Sequence, residues 1–231
     1  MEKRVNITID GVHIRAPEHT SVLDTAIEFG ICIPHLCHYP GVPDIGACRL
    51  CIVENVVRGK PRVTTSCTLK VREGMEIHTN TDRIQQLRKN VAEMLVAEAP
   101  NSKAVQDVAV RCGVTDVPYK FHNEECVLCG RCVRVCNDVW QAKALGFVGR
   151  GRDRHVAFPF EKKPDFCKHC ESCVDLCPMN RTPCPGPMKK GEEFVCGQCE
   201  SQLSMAEDVD DSCVWCRLGD GFGCTRKVQA Q

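Results

Sequence analysis

The chain has 231 residues with 30 Lys plus Arg against 30 Asp plus Glu, a formal net charge of zero that gives no electrostatic reason to expect nucleic acid as a partner. Its 20 cysteines would suit a disulfide scaffold in a secreted chain, yet the opening stretch MEKRVNITIDGVHIRAPEHT has no apolar run of the signal-peptide kind. A reducing, cytoplasmic setting is therefore expected, in which clustered thiols serve as metal ligands, and no stretch approaches the roughly 18 apolar residues of a membrane span.

Residues 1–80 read as a small β-rich domain. RVNITI at residues 4–9 alternates with period two, Asp10-Gly11 is a hairpin turn signal, and VHIRA at 12–16 continues as the second strand. The period then changes: Thr20 or Ser21 can cap a short helix running to Phe29, with Gly30 as its stop. Further strands are predicted over residues 49–57, 61–67 and 75–79. Hairpin, helix and then more strands is the order of a β-grasp fold. Residues 81–120 form a helical linker, its first helix placing Ile84, Leu87, Val91, Leu95 and Ala99 on one stripe before Pro100 ends it, and a second helix is expected over residues 102–111.

From residue 121 to 183 the chain carries two cysteine quartets. CVLCGRCVRVC at residues 126–136 has the spacing C-x2-C-x2-C-x3-C, and CKHCESCVDLCP at 167–178 repeats it, with Pro178 completing the bacterial ferredoxin pattern. Three closely spaced cysteines wrap one corner of a cubane while the fourth is carried off on the following helix to the other cluster. One [4Fe–4S] cluster is thus assigned to Cys126, Cys129, Cys132 and Cys177, and the second to Cys136, Cys167, Cys170 and Cys173. A structural zinc site does not need this spacing twice over.

In the first domain, Cys37, Cys48, Cys51 and Cys67 combine a long spacing, a close pair and a distant fourth sulfur, which suits a loop folded over a [2Fe–2S] cluster; on spacing alone zinc remains open. Gly46 would let the backbone approach the cluster. His35 and His38 flank Cys37 and suggest a Rieske centre, but Cys48 and Cys51 lack the corresponding histidine, so both histidines are expected at the solvated surface. Cys32 and Cys112 are expected as buried thiols.

The series IPHLCHYPG, GACRLCIVE, ECVLCGRCVRVC and FCKHCESCVDLCP, covering about residues 4–180, resembles the N-terminal electron-transfer module of the respiratory NADH dehydrogenase large subunit. It is similar also to the diaphorase small subunit of NAD-reducing hydrogenases and to the accessory-cluster region of iron-only hydrogenases and NAD-linked formate dehydrogenases. The resemblance implies a non-catalytic electron-relay subunit. Its neighbours would be a flavin-containing NAD(P)H-binding subunit, a thioredoxin-like [2Fe–2S] subunit and a catalytic oxidoreductase subunit.

Members of that family carry a further cluster held by one histidine and three cysteines after the long helix. Here Ala99 precedes Pro100 where the histidine would stand, and Lys103 sits near the last cysteine position, so this cluster is expected to be absent. No nucleotide site is visible: GFVGRG and GDGFGC both lack the strand-to-helix context of a dinucleotide-binding turn. No catalytic arrangement of side chains stands out, and His169 in CKHC is expected at a cluster edge on the surface.

Residues 184–231 form a Cys-rich tail without a counterpart in the resemblance. Cys196, Cys199, Cys213 and Cys216 pair two close thiols with two more and are the expected ligands for zinc or a further iron–sulfur cluster, with Cys224 a substitute and Cys184 a spare thiol. The rival reading of the whole chain is a zinc-stabilised interaction module without a redox role.

Overall fold

A computed structural model describes residues 3–118, 126–170 and 172–179, together with two short strands at 193–195 and 202–204. The first domain is built on a mixed five-stranded sheet. Strand β1 (Arg4–Ile9) pairs antiparallel with β2 (Val12–Pro17), and both turn residues between them, Asp10 (φ 48°) and Gly11 (φ 82°), adopt the left-handed backbone of a type I′ hairpin. Strands β3 (Ile52–Val57) and β4 (Lys60–Thr65) form a second hairpin, and β5 (Met75–His78) lies between the two, parallel to β1 and antiparallel to β3. The order across the sheet is β2-β1-β5-β3-β4. Helix α1 (Val22–Glu28) covers one face, as in a β-grasp domain, and its start is fixed by Ser21, whose hydroxyl accepts from the Asp24 N–H at 2.9 Å.

Alternation along β1 sends Val5, Ile7 and Ile9 into a core that also holds Ile14, Ala16, Val22, Leu23, Ala26, Val53 and Ile77. Each fully buried aliphatic side chain there contributes about 2 kcal/mol of transfer free energy. Cys51 and Cys67 belong to the same core, so one edge of the candidate metal loop is continuous with the packed interior.

Helix α2 (Asp82–Glu98), capped by Thr81, leads through Ala99 into α3 (Lys103–Arg111), capped by Ser102. Pro100 biases the residue before it away from helical backbone, and Ala99 duly has ψ 66°. The buried face of α2 is rotated from the expected stripe. Ile84, Arg88, Ala92 and Ala97 are buried, while Leu87, Val91 and Leu95 are only half-buried. An arginine at the centre of that face explains the discrepancy, since apolar periodicity alone discounts it.

The third region holds α4 (Arg131–Arg134), which widens into a π turn at Val135–Val139, a hairpin of β6 (Gly146–Val148) and β7 (His155–Ala157), and the short helix α5 (Ser172–Asp175). Beyond it, β8 (Glu193–Val195) and β9 (Gln202–Ser204) pair antiparallel. Among the described residues no helix is long and apolar enough to cross a membrane.

Candidate metal centres

The first centre lies in the loop between α1 and β3 and at the end of β4. Residues 49–51, expected as the start of a strand, instead turn: Gly46 (φ 63°) and Arg49 (φ 57°) adopt left-handed backbone, and the strand begins only at Ile52. These reversals aim main-chain amides inward. The Cys37 N–H donates to Cys48 Sγ at 3.4 Å, Ala47 and Cys48 amides donate toward the Cys37 sulfur, and the Leu50 amide donates toward Cys48. A Cβ at Gly46 would stand 3.1 Å from Thr65 Oγ1, so the loop lies flush on the end of β4.

The Cys37, Cys48, Cys51 and Cys67 side chains are all buried and form one linked set. Hydrogen bonds from the Cys48 and Cys67 thiols hold Cys37 far below the usual thiol range, against the opposing effect of burial. The same contact with Cys37, reinforced by burial, pushes Cys48 and Cys67 upward. Cys51 is lowered to about 7 by its hydrogen bond from Cys67. Negative charge is thus already favoured on two of the four sulfurs by donors that the loop supplies. Four soft, buried sulfur donors, with amides directed at them, fit the ligand chemistry of an iron–sulfur cluster.

The sulfurs of the two ferredoxin-type quartets influence one another electrostatically in crossed sets. Burial pushes Cys132 up to about 12, and the Cys129, Cys177 and Cys126 sulfurs add to the effect. Cys129 is raised chiefly by burial, opposed by the Arg131 N–H, and feels Cys177 and Cys126. Cys167 and Cys173 are likewise raised by burial first, and each feels Cys136 and Cys170. Left-handed backbone at Leu128 (φ 50°) and Gly130 (φ 72°) curls the first turn, while the Ala144 N–H reaches Cys136 Sγ at 3.3 Å. Ser102 at the start of α3 donates to the Pro178 carbonyl at 3.1 Å, tying the chain just past Cys177 to the linker.

Two expectations are corrected. His38 is 7% exposed rather than solvated: its Nδ1 lies 3.0 Å from Asp44 Oδ2 and its Nε2 3.4 Å from Asp24 Oδ1. His35 is half-buried, its Nδ1 2.9 Å from the Ile33 carbonyl, and burial lowers its pKa. A histidine can enter a protein interior when a carboxylate or carbonyl meets its ring nitrogen. Cys32, expected as buried, is exposed, because it stands just after the reversal that ends α1. Cys112 is half-buried at the edge of an apolar cluster that includes Ala99, Val105, Val108 and Ala109. His169 and the tail residues Cys184, Cys196, Cys199, Cys213, Cys216 and Cys224 lie outside the described side chains.

Three arginines that the sequence does not single out organise this region. Arg88 donates to the Leu50 carbonyl at 3.1 Å and to the Ile52 carbonyl at 2.6 Å, holding the turn through Cys51 against α2. Arg131 donates to the carbonyls of Leu36 and His38 and lies over the Tyr39 ring. Arg134 donates to the carbonyls of Pro43, Cys37 and Cys129. The spacing of the cysteines carries no signal for these contacts.

Fold and thiol arrangement together define an iron–sulfur protein with a [2Fe–2S] domain and a ferredoxin-like domain. Residues 2–82 match the family described as 2Fe-2S iron-sulfur cluster binding domain, and residues 119–181 match the NADH-quinone oxidoreductase subunit 3, ferredoxin-like domain. The chain is 30% identical over 202 residues to an NADH-quinone oxidoreductase subunit of Rhizobium meliloti (strain 1021), covering 76% of this chain and 23% of that protein. It is 28% identical over 199 residues to the NADPH-Fe(3+) oxidoreductase subunit alpha of Geobacter sulfurreducens, covering 75% of this chain and 23% of the relative. The NADH-ubiquinone oxidoreductase 75 kDa subunit of Reclinomonas americana is 27% identical over 233 residues, 90% of this chain and 33% of its own length. The chain therefore spans only a quarter to a third of these relatives. Among solved structures, an NAD+-reducing [NiFe]-hydrogenase in the H2-reduced state superposes with a TM-score of 0.57 at 27% identity, covering 67% of this chain and 74% of that one. This chain resembles the iron–sulfur electron-transfer subunits of such oxidoreductases.

Proposed function

We propose that this chain is the electron-relay subunit of a multi-subunit oxidoreductase, passing single electrons through one [2Fe–2S] and two [4Fe–4S] clusters. The supporting observation is the grouping of twelve cysteines into three sets of four, with Cys177 beside the first ferredoxin-type turn and Cys136 beside the second. Cys37, Cys48, Cys51 and Cys67 would hold the binuclear cluster. Cys126, Cys129, Cys132 and Cys177 would hold one cubane, and Cys136, Cys167, Cys170 and Cys173 the other. When bound, these groups supply one-electron chemistry and no bond making. The protein's part is to fix their positions, shield them from water and direct amides and positive charge at their sulfurs.

On this reading residues 1–80 form the first redox domain, 81–120 a linker that has lost the histidine-ligated cluster, and 121–183 the second redox domain. The tail, residues 184–231, would bind zinc or a further cluster through Cys196, Cys199, Cys213 and Cys216. The electron source would be a flavin-containing NAD(P)H-binding subunit, with a thioredoxin-like [2Fe–2S] subunit beside it. The sink would be a hydrogenase, formate dehydrogenase or related catalytic subunit. The names of the relatives support a nicotinamide-linked assembly of this kind. Anaerobic purification from the native cell, with identification of the co-purifying subunits, tests it: a flavin subunit should accompany the chain, and isolation of a cluster-free chain with no redox partner would count against the proposal.

A further inference from the structure

α4 is only four residues long, yet two of its side chains, Arg131 and Arg134, reach back more than ninety positions along the chain to the loop of the first centre. Arg131 donates to the Leu36 carbonyl and, at 2.7 Å, to the His38 carbonyl, gripping both neighbours of Cys37. Arg134, 4% exposed, donates through Nη1 to the Pro43 carbonyl and through Nη2 to the Cys37 carbonyl at 2.6 Å. The same Nη2 also lies 3.5 Å from the Cys129 carbonyl. One guanidinium therefore connects the main chain of a cysteine in the first centre with that of a cysteine in the second.

The composition of this contact is costly unless it serves the centres. Two guanidinium groups, Arg134 buried and Arg131 half-buried, are brought together against the loops that carry Cys37 and Cys129. Arginine stays protonated throughout the ordinary pH range, so both remain cations. Among the described residues no carboxylate pairs with either guanidinium; their acceptors are carbonyls, and the buried Nε of each has no hydrogen-bond partner there. A cation whose donors end on the backbone of metal-ligating loops leaves its charge available to the thiolate-bound groups on either side.

We propose that Arg134, supported by Arg131, is the positioning residue that couples the Cys37 centre to the Cys126–Cys129–Cys132–Cys177 centre. This rests on the iron–sulfur reading of both. Arg134 fixes the separation of the two centres and supplies a hydrogen-bonded connection from Cys37 to Cys129. Its charge favours the reduced, more negative state on both sides. The exchange it serves moves one electron: the centre that loses it is oxidised, the other is reduced, and no proton or covalent bond changes hands.

The test uses the full chain, reconstituted anaerobically, as wild type and as Arg134→Gln, Arg134→Lys and Arg131→Lys. Iron content, reduction potentials from spectroscopically monitored titration, and the rate of electron exchange after a reducing pulse are read for each. Wild type must first show both centres; an iron-free wild type would refute the iron–sulfur reading itself, before any substitution bears on the arginines. Arg134→Gln should keep its iron and make both centres harder to reduce by about tenfold in equilibrium constant, equivalent to about 59 mV for one electron. Arg134→Lys should recover the potentials, because the charge is kept, but not the exchange rate, because a lysine cannot span two carbonyl groups as the planar fork does. Wild-type potentials and exchange in Arg134→Gln would overturn the proposal. So would a shift at one centre alone, or loss of iron in both lysine variants, which would mark the arginines as holding the fold only.

Discussion

Arg88 sits at the centre of the buried face of α2 and ends on the Leu50 and Ile52 carbonyls, on either side of Cys51. Removing it leaves two buried acceptors without their charged donor, a loss of about 2–3 kcal/mol. Arg88→Met, which keeps the volume, should lower the denaturation midpoint accordingly and loosen the turn through Cys51; an unchanged midpoint would show that water replaces the guanidinium. Glu73 makes a second residue-level prediction. The Asn6 N–H and side-chain amide donate to its carboxylate and lower its pKa, so its contribution to stability is present above the ordinary carboxylate pKa and fades as pH falls through the folded value. Replacing it with Gln should narrow the stability difference between neutral and acidic pH, measured by denaturant titration. At this scale the cysteines are legible because their spacing is dictated by the group they hold. His38 is not, since nothing local announces the two aspartates, six residues on and fourteen back, that admit its ring to the interior.

Elements are legible where period and punctuation agree. The type I′ hairpin at Asp10-Gly11, the Ser21 cap of α1 and the Pro100 stop of α2 are local signals, and each acts on the residues beside it. Residues 49–51 are one exception, where the strand expected from residue 49 is overruled by a loop that curls to present its amides to sulfur. Two predictions belong here. Gly130, at φ 72° and N-terminal to α4, would place a Cβ 3.2 Å from Phe147 Cζ and 3.3 Å from Ile45 Cδ1. Gly130→Ala should therefore cost at least about 1 kcal/mol in left-handed strain and shift the Arg131 and Arg134 contacts, seen as lowered iron retention on mild heating. Cys136 follows α4 into the π turn, and its sulfur lies among the electrostatic neighbours of Cys167 and Cys173. Cys136→Ser should perturb the spectroscopic signal of the centre carrying Cys167, Cys170 and Cys173 and spare that of Cys126; the opposite pattern would contradict the crossed ligation.

The whole molecule depends on contacts between regions far apart in sequence. Arg131 and Arg134 reach the Cys37 loop, Arg88 reaches the turn at Cys51, and Ser102 reaches Pro178, so the first domain, linker and ferredoxin-like region share a polar framework around the sulfurs. Such long-range hydrogen bonds leave no periodic trace, which is why the sequence points to candidate ligands for each centre but not to what joins the centres. Ala99, Val105 and Val108 pack in one apolar cluster with Leu36, Cys37, Cys48 and Cys129, so the linker helices share a core with the cysteines of the first two centres. The most direct measurement is the metal content of anaerobically purified, full-length chain. Two, four and four irons predict about ten per chain with matching acid-labile sulfide, to which the proposed tail site would add a zinc, the iron of one further cluster or, if its thiols stay reduced, nothing. Several zincs with little iron and no sulfide would contradict the account.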